Sequence, residues 1–106
     1  MITFKEDGPK LICLPEEEII ASNVPAMRET LIAQLDSNTH WAELIFDCHK
    51  VETLDSIGIN LIVGLFKKAK VMGNQFKVIG CNPAILKVLQ LFRLDEQFPV
   101  EAKHVE

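Results

Sequence analysis

This chain has 106 residues, of which 48% are hydrophobic and 25% charged, a composition typical of a globular protein. A chain of this length can bury one hydrophobic core, so we expect a single domain and not an enzyme with two domains and a cleft between them. Since 15 Asp and Glu outnumber 11 Lys and Arg, the net charge of -4 argues against direct binding to nucleic acid. The longest apolar stretch, residues 57–66, is much shorter than the ~20 residues of a membrane span, and the first residues lack a secretory pattern, so we expect no membrane insertion and a cytoplasmic location.

The first two predicted strands form a hairpin. Residues 2–5 and 11–14 are short runs rich in β-branched and aliphatic side chains. They flank a segment that contains Asp7-Gly8-Pro9, a sequence typical of tight turns. The two strands are therefore expected to pair in antiparallel orientation.

Helices are predicted from capping residues and from apolar residues that recur every three or four positions. The first begins in Ser22-Asn23-Val24-Pro25 and ends in the polar cluster of residues 36–39. The second covers residues 58–72 and stops at Gly73-Asn74, and the third opens with the cap and first-turn proline Asn82-Pro83. The side chains expected to face the core are Val24, Met27, Leu31 and Leu35, then Ile59, Leu61, Ile62, Val63, Leu65, Phe66, Ala69 and Met72, then Ile85, Val88, Leu89 and Phe92.

Further strands alternate with these helices. Within residues 43–47, the run Leu44-Ile45-Phe46 is apolar at both alternating positions, which predicts a central strand of a parallel sheet. Residues 76–79 predict the next strand, and residues 98–100 a short edge strand, because Pro99 cannot donate to a central ladder. The order ββ-α-β-α-β-α-β predicts one α/β domain over residues 1–106, with a mixed sheet, three main helices and a frayed tail at about residues 103–106.

Cysteine, histidine and tryptophan show no catalytic or metal-binding pattern. Cys13, Cys48 and Cys81 are scattered without a C-x-x-C pair, and we interpret them as small buried side chains. His49 follows Cys48, but neighbours on a strand point to opposite faces, which weakens a nucleophile or metal hypothesis. Trp41 is expected at the edge of the core. We therefore expect no metal, no cofactor and no intrinsic catalysis.

The segment before the second helix carries the most information about function. Residues 53–58 read Thr-Leu-Asp-Ser-Ile-Gly and fall between a predicted strand and a helix N-terminus. Free N–H groups and the helix dipole favour an anion at that place, and a phosphate on Ser56 would be tolerated there. Asp55 and Ser56 are also ordinary capping residues, so the residue order leaves a cap and a phosphorylation site both open.

The polar side of the second helix is a further candidate for contact with a partner. Asn60, Gly64 and Lys67 continue the strip that starts at Ser56. A glycine inside a helix costs up to ~1 kcal/mol relative to alanine, and on an exposed strip it permits close approach by another molecule. The alternative is a solvated face on which the glycine has no role.

The chain contains a D-S-x-G sequence at Asp55, Ser56 and Gly58, followed by the predicted strand at residues 76–79 and the predicted helix at Asn82-Pro83. This arrangement resembles the STAS domain of bacterial anti-sigma factor antagonists. The likeness extends from the amino-terminal hairpin to Arg93-Leu94-Asp95, and residues 19–23 resemble the loop before the family's first helix. Many members carry a second serine where this chain has Ile57, which leaves Ser56 as the serine of the motif.

The resemblance implies a switch by exchange of partners. The unphosphorylated antagonist binds an anti-sigma factor, a serine kinase of the histidine-kinase ATPase fold, and so frees a sigma factor. The kinase phosphorylates the serine that matches Ser56, adding about -1.5 to -2 charges, and a metal-dependent PP2C-type phosphatase restores it. By this resemblance Ser56 is the regulatory site, Asp55 orients it, Gly58 lets backbone approach closely at the turn, and Asn60, Gly64 and Lys67 form the docking face.

Two other classes of function stay open. Other STAS proteins serve stress-signalling assemblies, lipid transport complexes or anion transporter tails, so the chain could be a subunit of a membrane-associated transport complex that acts without phosphorylation. A small enzyme or nucleotide-binding protein would need a phosphate-binding glycine loop, and neither G-x-x-x-x-G-K nor G-x-G-x-x-G occurs. The sequence names neither the sigma factor nor the kinase, phosphatase or signal, and it leaves the oligomeric state open, a homodimer included.

Overall fold

A computed structural model describes residues 1–37 and 40–103, in which strands and helices alternate after an initial hairpin. The elements are β1 (Ile2–Asp7), β2 (Lys10–Pro15), α1 (Val24–Ser37), β3 (Glu43–Asp47), α2 (Ser56–Val71), β4 (Gln75–Cys81), α3 (Pro83–Leu91) and β5 (Val100–Ala102), with a 3₁₀ helix at Leu94–Glu96 before β5. Residues 38 and 39 of the predicted helix-ending cluster and residues 104–106 of the predicted tail lie outside the described residues.

The five strands form one mixed sheet in the order β1-β2-β3-β4-β5. β1 and β2 pair in antiparallel orientation, and β3, β4 and β5 each join the preceding strand in parallel. The predicted hairpin, the central place of β3 and the mixed α/β fold are thereby confirmed. The edge strand begins at Val100 and not at the predicted Phe98, because Phe98 is buried in the core. Pro99 has no N–H to donate, and only its carbonyl group pairs with β4, by accepting the Val78 N–H at 3.0 Å.

The helices pack on one face of the sheet, and the hydrophobic core lies between the helices and that face. α1 contacts β1, α2 contacts β4, and α3 contacts β4 and β5. Ile45 is buried at 4% exposure although it lies outside this core cluster, on the alternate face of β3. It is flanked in register by Ile12 and Lys77, whose half-buried side chains shield it. The strand side chains that face the helices are Leu11, Cys13, Leu44, Phe46, Phe76 and Val78.

Caps define the helix ends much as the sequence predicts. The side-chain oxygen of Asn82 accepts the Ile85 N–H at 2.8 Å, which starts α3. Gly73 adopts φ +74° just after α2, in the left-handed conformation that closes helices. α2 itself begins at Ser56, two residues before the predicted start at Gly58, because Asp55 is the capping residue.

Most of the predicted core is buried, with two corrections at helix ends. Met72 and Phe92 are 37% and 56% exposed, because each is the cap residue after the last turn of its helix. Phe66 is half-buried, with its ring centroid 5.1 Å from that of Phe98 and 6.1 Å from that of Phe76. The cysteines and Trp41 are buried, as predicted.

Candidate functional site

Asp55 caps α2 and also ties it to the loop before α1. Its Oδ1 accepts the Gly58 N–H at 2.9 Å, and its Oδ2 accepts the Ala21 N–H at 2.9 Å. These backbone hydrogen bonds, that from Gly58 above all, lower the pKa of the Asp55 carboxyl below its ordinary value of 3.8. The residue thus sets the position of Ser56, the first residue of the helix.

Glu18 is a second link between the loop before α1 and the segment before α2. Its carboxylate accepts the Glu52 N–H at 3.0 Å, and the N–H and hydroxyl of Thr53 at 2.8 Å each. The bond from the Glu52 backbone is the largest of the causes that lower the pKa of Glu18. No local sequence pattern marks Glu18 as part of the site, because its partners lie more than thirty residues further along the chain.

Backbone pairing completes the contact between residues 18–21 and residues 52–55, which we call the paired loops. The Ile19 N–H donates to the Thr53 carbonyl at 3.3 Å, and the Asp55 N–H donates to the Ile19 carbonyl at 3.2 Å. Gly58 is buried against the same residue: a Cβ there would collide with the Ile19 carbonyl oxygen and lie 2.9 Å from Ile19 Cγ2. The backbone that approaches Gly58 is therefore the chain's own, and this residue offers a partner no contact surface.

Ser56 is exposed at the first position of α2, directly beside the paired loops. Its neighbour Ile57 is 40% exposed and adds an apolar side chain to the same surface. The Thr53 hydroxyl, the nearest alternative in sequence, donates to Glu18. Thr53 and Ser56 are both exposed, but the Thr53 hydroxyl is already hydrogen-bonded to Glu18, whereas Ser56 lies beside it on a segment that Asp55 and Glu18 hold in place.

The exposed strip of α2 borders a groove between α1 and α2 with a volume of about 240 Å³. Asn60 and Gly64 line this groove, whereas Lys67 is exposed beside it and the next residue, Lys68, lies in the lining. We call it the α1–α2 groove. It is lined by Arg28, Ile32 and Leu35 of α1 and by Asn60, Gly64 and Lys68 of α2, among others. Ser56, Asn60 and Gly64 thus share one side of the helix, and α1 supplies a second wall that the sequence pattern did not reveal.

Cys48 and His49 do not form a joint site. The Cys48 side chain lies in the core, where a hydrogen bond with Cys81 and burial raise its pKa well above the ordinary value of 9.0. The His49 ring is at the surface, with Nδ1 3.0 Å from Asp47 Oδ1. Within residues 1–37 and 40–103, no three His, Cys, Asp or Glu side chains are grouped as metal ligands. No helix in those ranges has the length and hydropathy to cross a membrane.

A family model of the STAS domain matches residues 2–106. The chain belongs to the STAS domain family. This STAS domain has the fold of an anti-sigma factor antagonist from Mycobacterium paratuberculosis, with a TM-score of 0.83 and 22% identity over 95% of this chain and 84% of that chain. The family resemblance and the fold predicted from sequence are therefore confirmed.

Two further solved structures share the fold of this STAS domain. The Bacillus cell fate determinant SpoIIAA in its phosphorylated form gives a TM-score of 0.70 and 15% identity, covering 94% of this chain and 90% of that chain. The murine solute carrier 26 family member A9 anion transporter gives 0.78 and 17% identity, covering 94% of this chain and 17% of that chain. At these identities the likeness concerns the fold.

Proposed function

We propose that this STAS domain is an anti-sigma factor antagonist controlled by phosphorylation of Ser56. Unphosphorylated, it binds a cytoplasmic anti-sigma factor, a serine kinase of the histidine-kinase ATPase fold, and so frees a sigma factor. A PP2C-type phosphatase removes the phosphate, and the domain itself catalyses no step. The observation that carries the proposal is the exposed Ser56 at the start of α2, held beside the paired loops by Asp55.

The geometry favours Ser56 over the other hydroxyl of the segment. Both residues, Ser56 and Thr53, are exposed, but the Thr53 hydroxyl donates to the Glu18 carboxylate at 2.8 Å, and a kinase would have to break that bond before it could use this hydroxyl. Asp55 accepts backbone N–H groups through both oxygens, so the position of Ser56 does not depend on the partner. A preformed segment binds with a smaller entropic cost than a mobile one.

Phosphate on Ser56 acts on the interface more than on the fold. The N-terminus of a helix favours negative charge, so α2 persists when Ser56 is phosphorylated. The modification adds about -1.5 to -2 charges beside the Asp55 carboxylate, on a surface that also carries exposed Ile57. An unmodified Ser56 face can be buried against a kinase, whereas the charged one opposes burial.

The direct test uses the purified domain, ATP and the anti-sigma factor kinases encoded in the same genome. We expect mass spectrometry to find phosphate on Ser56 alone, and Ser56→Ala to lose it while still binding the kinase. Ser22→Ala, which removes an exposed hydroxyl from the loop before α1, is the matched control and should be phosphorylated like the wild type. Phosphate on another residue, or on none, would overturn the proposal.

The fold shared with a segment of the murine anion transporter supports a second candidate, a STAS subunit of a membrane-associated transport complex that needs no phosphorylation. This candidate predicts that the protein co-purifies with a transporter and that Ser56→Ala leaves transport unchanged. A phosphorylated Ser56 in protein isolated from cells would count against it.

A further inference from the structure

The α1–α2 groove combines open space with an apolar lining. Gly64 lies on one wall, and a Cβ there would meet no heavy atom within 4 Å other than those of its chain neighbours and its own helix backbone, so the space above it is empty. Ile32 lies on the opposite wall and is 45% exposed, while Leu31, Leu35 and Leu65 supply its buried lining. A cavity of about 240 Å³ with these walls has room for a large apolar side chain.

The groove runs on from the Ser56 end of α2. α1 and α2 each connect parallel strands, so the two helices run in the same direction. Arg28 and Asn60 line the groove near the start of α2, and the Lys68–Asp36 ion pair, at 2.9 Å, bridges the two helices at the far end. Gly64 follows Ser56 by eight positions, which is about 12 Å along the helix axis.

The charge of the groove is opposite to that of the protein as a whole. The chain has a net charge of -4, yet Arg28 and Lys68 flank the groove and Lys67 is exposed next to it. Lys68 is already paired with Asp36, whereas in the described part of the chain Arg28 takes part in none of the ion pairs. An approaching carboxylate would therefore find its counter-charge at Arg28, the end of the groove nearest Ser56.

We propose that the α1–α2 groove receives a large apolar side chain of the kinase, carried by a segment whose adjacent carboxylate pairs with Arg28. The inference rests on the proposed function, because it names the part of the same partner that lies beyond Ser56. The absence of a side chain at Gly64 admits the apolar group, and Arg28 selects an acidic segment over a basic one. Docking thus extends from the regulated serine to a second contact about two helical turns away.

Photocrosslinking identifies the docked segment. We replace Lys67, which is exposed next to the groove but does not line it, with p-benzoylphenylalanine, mix the protein with the purified kinase that phosphorylates Ser56, and sequence the crosslinked kinase peptide. The matched control carries the same group at Leu91, which is 69% exposed on α3. We expect a crosslink from position 67 and none from position 91, to a peptide with an apolar residue and a carboxylate within about one helical turn of each other. A peptide without a carboxylate, or no crosslink from position 67 in a complex that forms, would overturn the inference.

Binding measurements separate this inference from the proposed function. We expect Arg28→Glu and Gly64→Gln each to weaken kinase binding by about tenfold or more, the first by charge reversal and the second by filling the groove. Val71→Gln, at an 88% exposed position outside the groove, should bind like the wild type. If both groove variants bind normally while Ser56 is phosphorylated, the groove inference fails and the proposed function stands. If the wild-type protein neither binds a kinase nor is phosphorylated, the proposed function fails as well.

Discussion

The carbonyl group of Ile19 lies so close to Gly58 that no side chain fits between the loop before α1 and the first turn of α2. A methyl group at position 58 would collide with that carbonyl oxygen and lie 2.9 Å from Ile19 Cγ2. We therefore expect Gly58→Ala to lower the free energy of unfolding by about 1–3 kcal/mol, as overpacking does elsewhere. Urea denaturation measures this change.

Gly64→Ala in the same helix is the control for this prediction. Apart from the backbone of its own helix and its two chain neighbours, no heavy atom lies within 4 Å of a Cβ at position 64, so alanine adds helix propensity without strain. We expect the variant to be more stable than the wild type by up to about 1 kcal/mol. Equal effects at positions 58 and 64 would show that the Ile19 contact is not the cause.

Acid should weaken the paired loops. The folded protein holds the pKa of Asp55 below 3.8 and that of Glu18 below 4.5, so the unfolded chain binds protons more readily on acidification. The stabilisation from both carboxylates is present above these ordinary values and is lost as the pH falls through the lower pKa values of the folded state. When urea denaturation is measured at pH values from 7 to 3, the midpoint concentration of urea should therefore decrease once the pH is lower than about 4.5.

Asp55→Asn tests which group is responsible for that pH dependence. The amide can still cap α2 but carries no charge, so the variant should lose less stability between pH 5 and pH 3 than the wild type does. Glu29→Gln, on an exposed position of α1, should leave the wild-type profile unchanged. An Asp55→Asn profile as steep as that of the wild type would contradict the role assigned to this carboxylate.

The aromatic cluster below α2 gives a graded test of packing. Phe98 is 4% exposed and its ring centroid lies 4.9 Å from that of Phe76, so Phe98→Ala should cost about 3–5 kcal/mol. Phe66 is only half-buried, and Phe66→Ala should cost less than Phe98→Ala because water already reaches part of its ring. Thermal unfolding of both variants measures the order, and a larger loss at position 66 would refute it.

Asn82 joins the start of α3 to the segment that leads to the paired loops. Its side-chain oxygen accepts the Ile85 N–H at 2.8 Å, and its amide donates to the Glu52 carbonyl at 3.0 Å. Asn82→Ala should cost about 1–2 kcal/mol from the lost cap. It should also speed hydrogen exchange at the Thr53 amide, whereas Gln90→Ala on the exposed side of α3 should do neither.

Ser56→Asp should mimic the phosphorylated state only in part. Aspartate adds one charge, against about -1.5 to -2 for phosphoserine, so kinase binding should weaken less than it does after phosphorylation. Ser22→Asp places the same charge on an exposed position before α1 and should bind better than Ser56→Asp. Calorimetric titration of both variants with the kinase provides the comparison.

Short-range signals in the sequence predicted most of the fold. Asn82-Pro83 and Gly73 mark helix ends through bonds to residues nearby, and both operate as predicted. The predicted start of α2 at Gly58 was two residues late, because the apolar pattern does not show which residue is the cap, and Asp55 is the cap through the Gly58 N–H. Met72 and Phe92 fit a helical wheel, but the wheel does not show where the last turn ends.

The candidate site was harder to predict because its contacts join distant parts of the chain. The hydrogen bond that the Thr53 N–H donates to Glu18 spans 35 positions, and nothing near either residue signals it. The strip from Ser56 to Gly64 was visible as a polar side of α2, but the wall formed by Arg28 and Ile32 depends on how α1 packs beside it. A helical wheel shows which residues face outward, and only packing shows which of them border a cavity.

The spatial order of the strands repeats their order along the chain. During synthesis on the ribosome, each new strand can therefore join the outer edge formed by the strand made just before it, and no strand has to be inserted between two that are already paired. Until the next strand has been synthesised, the outer edge of the last strand has unpaired N–H and C=O groups, which can pair with another chain and cause aggregation. The series ends with β5, whose three residues after Pro99 present little edge for a further strand to extend.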